Sequence, residues 1–386
     1  MKRTSRAWLV APVALAAVVA ASPAMAQSGR VSTPNLWTGG AGLSGITPNS
    51  SNTSAPSNWR LTAGSTFNGV QGAFDGTALL LFTASGLSGT YACSGSLVSS
   101  QYVLTAGHCT DGLLNMSVQF GYTNNTALQT RNVVSYVQAP GWNGTLDTGA
   151  DLALIKLDAP VTNLPIYKLS KTSDLGKQYI MTGYGTSGTG FQNGNPNWND
   201  GNYGHYGYNV FDTTSDVFES AWDAATGDNV YTAPTYGHTY VTDFDFYNGT
   251  PTQQSQYNTL QRIADASAGS WSSDQGLGVT EALIAGGDSG GGDFVWDGSQ
   301  WVLSAVHSWG WQFCSGRISP GGLVNAPSCD YKTGNSSSYG DLSGSTAVYD
   351  HIDWINSVIA VPEPGTYGLM LGGLAVVGGL ARRRRA

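Results

Sequence analysis

The chain has 386 residues, 41% hydrophobic and 11% charged, with 52 glycines, 12 tryptophans, 19 tyrosines and a formal net charge of −8. Setting aside residues 1–26 and 362–386 leaves 10 basic and 24 acidic residues, a body of net charge −14. Such a body repels phosphate backbones and anionic lipid, which argues against a nucleic-acid partner, and its few lysines among many Gly, Ser, Thr, Asn, Tyr and Trp suit an extracellular β protein.

Residues 1–26 carry Lys2, Arg3 and Arg6, then the apolar run Trp8 to Ala21, then Ala24, Met25 and Ala26 in small-x-small form. This predicts a secretory signal peptide cut after Ala26; the alternative, a short membrane anchor, is disfavoured because the run is short for a bilayer span. Residues 27–66 are rich in Ser, Thr, Asn, Gly and Pro with Trp37 and Trp59 as large anchors, which predicts a partly disordered N-terminal arm. From Phe67 on, short apolar or alternating runs are separated by glycine turns: Ala78 to Phe82, Ser94 to Ser99, Tyr102 to Thr105, Met116 to Tyr122, Val133 to Gln138, Leu152 to Leu157 and Tyr179 to Gly183. Strands at that spacing predict an all-β barrel or sandwich. Residues 186–280 are rich in Asn, Gly, Tyr and Asp; the stretch Asp243 to Asn248 reads as an alternating strand with an exposed face rather than a calcium loop, since Asp243 and Asp245 are too few ligands. No metal and no cofactor is predicted. Val348, Ile352, Ile355, Val358 and Ile359 recur at helical spacing, which predicts a helix packing one face. The last segment, 361–386, has Pro362, Glu363 and Pro364, a weakly apolar run from Thr366 to Ala381 and the basic block Arg382 to Arg385. Two prolines forbid a continuous helix from the domain, and the run with its arginines fits a membrane span with a cytoplasmic stop.

Three motifs carry chemistry. LTAGHC at Leu104 to Cys109 puts His108 in a small-residue turn, DLALIKL at Asp151 to Leu157 opens an apolar strand with a carboxylate, and GGDSGG at Gly286 to Gly291 holds Ser289 in a glycine turn. A serine hydroxyl needs a base to take its proton, an imidazole titrates in the right range, and a buried carboxylate fixes its tautomer. His205, His238, His307 and His351 lack such a turn; His205 and His238 are expected to be solvent-facing or structural.

In that order, His108, Asp151 and Ser289 resemble the catalytic triad of the trypsin/chymotrypsin family. The resemblance covers about Phe67 to Ile359. It implies a trypsin-like fold of two six-stranded antiparallel β-barrels with a C-terminal helix, a protease domain over 67–360 with a long insert at about 186–280, and a secreted serine endopeptidase acting on protein or peptide substrates through an acyl-enzyme. It further implies an oxyanion hole from the backbone N–H groups of Gly287 and Ser289, a strand edge for substrate at Ser308, Trp309 and Gly310, and an apolar specificity pocket floored by Leu283 and walled by Gly310 and Ala347, favouring an uncharged P1 residue. Four cysteines allow three pairings; the family's histidine-loop disulfide matches Cys93 with Cys109, leaving Cys314 to Cys329. The family's basic residue followed by Ile-Val-Gly-Gly, whose freed amine pairs with the Asp before the nucleophile, is missing; Arg30 and Arg60 are weak substitutes. The tail resembles the PEP-CTERM sorting signal of exported Gram-negative bacterial proteins. That implies recognition of Pro362, Glu363 and Pro364 by an exosortase-type enzyme, and a C-terminal transmembrane sorting helix at the inner membrane; a plain anchor is the alternative. The rival to the enzyme is a non-catalytic surface or matrix-binding protein on the same scaffold.

Overall fold

The computed structural model describes residues 30–31, 35–37, 47–48, 56–188, 190, 203–226, 236–246, 250–251, 254, 257–267, 271–273, 276–311 and 337–360. Four short strands lie in the N-terminal arm: β1 (Arg30–Val31), β2 (Asn35–Trp37), β3 (Thr47–Pro48) and β4 (Arg60–Leu61). The arm was expected to be partly disordered, yet each of these strands is paired with the body of the protein. A small hairpin follows, β5 (Thr66–Phe67) and β6 (Val70–Gln71).

Six strands then form a closed barrel: β7 (Thr77–Ala84), β8 (Thr90–Ser99), β9 (Tyr102–Thr105), β10 (Leu113–Phe120), β11 (Gln129–Gln138) and β12 (Ala153–Leu157). The pairing runs β8-β7-β10-β11-β12-β9, and β9 returns to β8, which closes the ring. Along β7 the period of two sends Ala78, Leu80, Phe82 and Ala84 into the barrel core with Leu97, Val103, Val118, Phe120 and Ile155. Leu79 faces the other way, onto Ala92, Tyr122 and Tyr184. Every strand expected in this half is present.

The second sheet is assembled from β13 (Lys168–Leu169), β14 (Gln178–Gly183), β15 (Gly204–Val210), β16 (Thr213–Thr214), β17 (Thr239–Asp243), β19 (Gly292–Trp296), β20 (Trp301–Trp311) and β21 (Leu342–Ala347), while β18 (Ala282–Leu283) pairs with β3. Its order is β16-β17-β21-β20-β19-β14-β15-β4, with β1 and β13 on β20. The expected second closed barrel is therefore not formed among the described residues: the path has two ends. The long stretch expected as an insert supplies three strands of this sheet, β15 to β17. It also supplies helices α1 (Ser215–Thr226) and α2 (Thr259–Ala266). Asp243 to Phe246, expected to show an exposed face, are all buried, because β17 is sandwiched between β16 and β21 and its end packs under the Phe244, Phe246, Tyr257, Leu283 and Tyr339 cluster.

The two sheets share one core. Leu104, Leu152 and Leu154 from the barrel pack with Ile180, Phe294, Leu303 and Val306 from the second sheet, and Val348 and Ile355 close it. Ile355 lies on helix α3 (Ile352–Ile359), the helix the apolar stripe predicts. Val361 to Ala386, and with them Pro362, Glu363 and Pro364, lie outside the described residues, as do Cys314 and Cys329. No described helix is long and apolar enough to cross a membrane.

Candidate active site

His108 sits in a single 3-10 turn, Gly107–Thr110, that ends β9. Asp151 stands two residues before β12, and β9 and β12 are paired with Thr105 opposite Ala153. Register alone thus brings imidazole and carboxylate together. Asp151 is fully buried; its Oδ1 accepts from the His108 backbone N–H at 2.9 Å and its Oδ2 from the Nδ1–H at 2.8 Å. Ser308 adds a third bond, its hydroxyl donating to Oδ2 at 2.6 Å. Because a carboxylate only accepts, the proton of neutral His108 is on Nδ1 and the lone pair on Nε2. Nε2 is buried and makes no hydrogen bond among the described residues. Burial on its own would lower the imidazole pKa, but the charge and hydrogen bond of Asp151, with the charge of Asp111, outweigh it, so His108 titrates above the ordinary 6.5.

The disulfide between Cys93 and Cys109 closes the loop behind this turn; a loop of that length is worth about 3 kcal/mol in the chain-entropy model. Both sulfurs lie close to the His108 ring, but a disulfide offers no thiolate to a metal.

Ser289 comes from the second sheet, in the turn between β18 and β19. The turn closes on itself through Asp288 N–H to the Ala285 carbonyl and Gly291 N–H to the Asp288 carbonyl, and it is tied to β20 by Gly290 N–H to the His307 carbonyl. Gly287 has φ 97 and Gly290 φ 82. At Gly290 a Cβ would also collide with Thr105 Oγ1 at 2.1 Å and the Ser94 carbonyl at 2.3 Å. Only glycine fits between this turn and the barrel.

The turn is clamped by Ser94, the residue after Cys93. Its N–H donates to the Ser289 carbonyl at 2.8 Å and its hydroxyl to the Gly287 carbonyl at 3.2 Å, while the hydroxyl oxygen accepts from Tyr184 N–H at 2.9 Å. With those carbonyls turned toward the barrel, the N–H groups of Gly287 and Ser289 donate to no protein acceptor among the described residues. Asp288 is fully buried and accepts from Gly185 N–H at 2.8 Å and Ala285 N–H at 2.9 Å.

Residues 70–228 match the family model described as Trypsin. That stretch is similar to the trypsin family. The matched range holds His108 and Asp151 and ends before Ser289, and residues 360–385 match the PEP-CTERM protein-sorting motif. Over 109 residues the chain is 32% identical to trypsin of Sus scrofa, covering 26% of this chain and 46% of that protein. It is 31% identical over 116 residues to the venom plasminogen activator Haly-PA of Gloydius brevicauda, covering 28% and 43%. The chain thus spans less than half the length of these curated relatives. A solved collagenase structure covers 75% of this chain and 95% of its own at 18% identity and a TM-score of 0.45.

Of the remaining residues expected near the site, Ser308 joins it through Asp151. Trp309 is buried among Phe218, Val241, Leu260, Ile263 and Leu342, beneath α1 and α2, and Gly310 is buried beside it. Leu283 lies wholly inside the Phe244, Phe246, Tyr257 and Tyr339 cluster, and Ala347 belongs to a separate cluster with Tyr240 and Ala305. His205 is fully buried in β15, so it is not solvent-facing, whereas His238 sits at the surface, its Nδ1 within 2.8 Å of Asp350.

Two contributors escape sequence reasoning. Ser94 is one; nothing but its place next to Cys93 marks it. The other is His307, fully buried between two acceptors: Nε2–H donates to Asp293 Oδ1 at 2.7 Å and Nδ1–H to the Asp288 carbonyl at 3.1 Å. With both nitrogens facing acceptors, the site favours the protonated ring. Burial, which disfavours that charge, is overcome by Asp293 and then Asp288, and the pKa is raised from 6.5.

Proposed function

We propose that the protein is an exported serine endopeptidase that hydrolyses peptide bonds with His108, Asp151 and Ser289. The observation that carries this reading is the state of His108. Asp151 holds both its backbone N–H and its Nδ1–H, leaving a buried, unpartnered Nε2 beside the turn that bears Ser289. Nε2 takes the proton of the Ser289 hydroxyl as Oγ attacks the substrate carbonyl carbon, and the imidazolium then gives that proton to the leaving amine. A water molecule, activated by the same nitrogen, hydrolyses the acyl-enzyme and regenerates Ser289. Charge developing on the carbonyl oxygen is met by the free N–H groups of Gly287 and Ser289, a donor pair of the kind whose loss costs about 3 kcal/mol per donor in such enzymes.

The domain assigned to this activity is 67–360. An apolar environment at Leu283 supports a preference for uncharged P1 residues, which a peptide-library profile tests. The PEP-CTERM match supports delivery to the bacterial envelope, with an exosortase-type enzyme acting at Pro362, Glu363 and Pro364. The decisive experiment on the chemistry is labelling with a fluorophosphonate: the native chain should label at Ser289 and the Ser289→Ala variant should not. An unlabelled native chain that nonetheless retains its fold would favour a non-catalytic module.

A further inference from the structure

The N-terminal arm touches the site from both sides. β1 pairs antiparallel with β20, Arg30 opposite Trp311 and Val31 opposite Gly310. β2 pairs antiparallel with β8, Asn35 opposite Ala92, Leu36 opposite Tyr91 and Trp37 opposite Thr90. Gly310 is two residues from Ser308, whose hydroxyl holds Asp151. Ala92 adjoins Cys93, which is bonded to the neighbour of His108, and Ser94 one step further clamps the Ser289 turn. One short piece of chain is thus strand-paired to the second sheet on one side of the nucleophile turn and to the barrel on the other. Val31 and Asn35 are four residues apart, so at no more than about 3.6 Å per residue the two occupied edges lie within roughly 14 Å of each other.

A polypeptide that binds by strand addition needs unpaired backbone groups on a sheet edge. Here the backbone groups on both edges flanking the site are engaged by the chain itself. We propose that the arm strands Arg30–Val31 and Asn35–Trp37 are a tethered competitor for extended peptide substrates and must leave these edges before such a peptide binds. The consequence for hydrolysis rests on the peptidase reading above; the competition for binding does not. A tethered segment acts at an effective concentration in the millimolar range. Even if the two short pairings bind with a dissociation constant of about 0.1 mM, they weaken peptide binding roughly tenfold.

The test uses the exported chain, a form lacking residues 27–37, and a full-length Val31→Pro/Leu36→Pro form that removes one backbone N–H from each arm strand. In a Ser289→Ala background, binding of a fluorescent uncharged decapeptide is followed by anisotropy. The two altered forms should bind about tenfold more tightly than the exported chain, and a synthetic peptide of residues 27–37 should compete for the arm-less form. Amide hydrogen exchange at Thr90–Ala92 and Gly310–Trp311 should lose protection in both altered forms. With Ser289 intact, KM should fall about tenfold with kcat unchanged. Equal peptide affinity in all three forms, or a synthetic arm that does not compete, overturns the proposal. A tenfold binding contrast in chains that fail to label with fluorophosphonate would uphold the arm's role while removing the peptidase reading. If deletion unfolds the protein, the proline form carries the same comparison.

Discussion

The two halves of the molecule build their parts of the site by different means. In the closed barrel, His108 and Asp151 are brought together by the register of two adjacent strands, β9 and β12, and three hydrogen bonds converge on one carboxylate. In the second half, Ser289 owes its place to two contacts that cross to the barrel, the Ser94 clamp and the close approach of Gly290 to Thr105, and to the His307 tie to the Asp288 carbonyl within its own half. A base and its orienter can be fixed locally by pairing. The Ser289 turn depends on packing across the interface, so changes at the contacts that hold it, at Ser94, Gly290 and His307, should spread to stability, while changes to the Ser289 hydroxyl should fall on chemistry.

The sharpest test of that division removes chemistry and little packing. Ser289→Ala and His108→Ala should each lower kcat by about 10⁶-fold with the Cys93–Cys109 disulfide kept; Ser289→Ala should leave thermal unfolding unchanged, whereas His108→Ala, which takes a partner from the buried Asp151, should also lower the unfolding temperature. Asp151→Asn should cost about four orders of magnitude in turnover, because the amide favours the wrong imidazole tautomer. In the native protein the acid limb of kcat/KM should lie above 6.5, since Asp151 raises the His108 pKa and the base must be neutral to act. A limb below 6 in a kcat/KM profile would contradict the geometry of the pair.

The second half is expected to respond through folding. His307→Ala strands the buried Asp293 carboxylate, and breaking a buried ion pair in this way costs about 3–5 kcal/mol, measured by denaturant unfolding. Its pH dependence has a defined sign. The folded-state pKa of His307 is raised above its unfolded value near 6.5, so its contribution is full below about pH 6.5 and is lost as pH rises through the higher folded value. The stability gap between the native protein and His307→Gln should therefore narrow on the alkaline side. A gap that widens there would show the ring to be neutral.

The same contrast explains what could be read from the chain beforehand. The strands of the barrel and the helix at Ile352–Ile359 follow from period-two and helical patterning, which are local signals, while the Cys93–Cys109 bridge was implied by the resemblance of its segment to the family's histidine loop. The strands β15 to β17 of the second sheet were not legible in the same way, because they lie in an Asn- and Tyr-rich stretch with weak alternation, where burial comes from α1, α2 and aromatic clusters supplied by distant segments. The four short arm strands had no local signal of their own in a Ser- and Thr-rich stretch; each is paired with a distant edge, on β20, β8, β18 or β15. Nothing local to His307 marks its two acceptors, Asp293 and the Asp288 carbonyl, which reach it from a neighbouring strand and from the Ser289 turn.

The smallest predicted effect probes the seam between the halves. Ser94→Ala keeps the N–H that donates to the Ser289 carbonyl but removes the hydroxyl that donates to Gly287 and accepts from Tyr184. Both lost partners are buried backbone groups, so stability should fall by about 1–3 kcal/mol. The kinetic signature should be specific. Releasing the Gly287 carbonyl frees the Gly287–Asp288 peptide plane, which loosens the glycine torsions that aim the adjoining Gly287 N–H and leaves the imidazole and the serine hydroxyl in place. kcat for peptide hydrolysis should then drop while KM and the acid limb of the pH profile stay where they were. If the acid limb moves instead, the clamp acts on His108 through Cys93 and Cys109, and the two halves are less separable than their hydrogen bonds indicate.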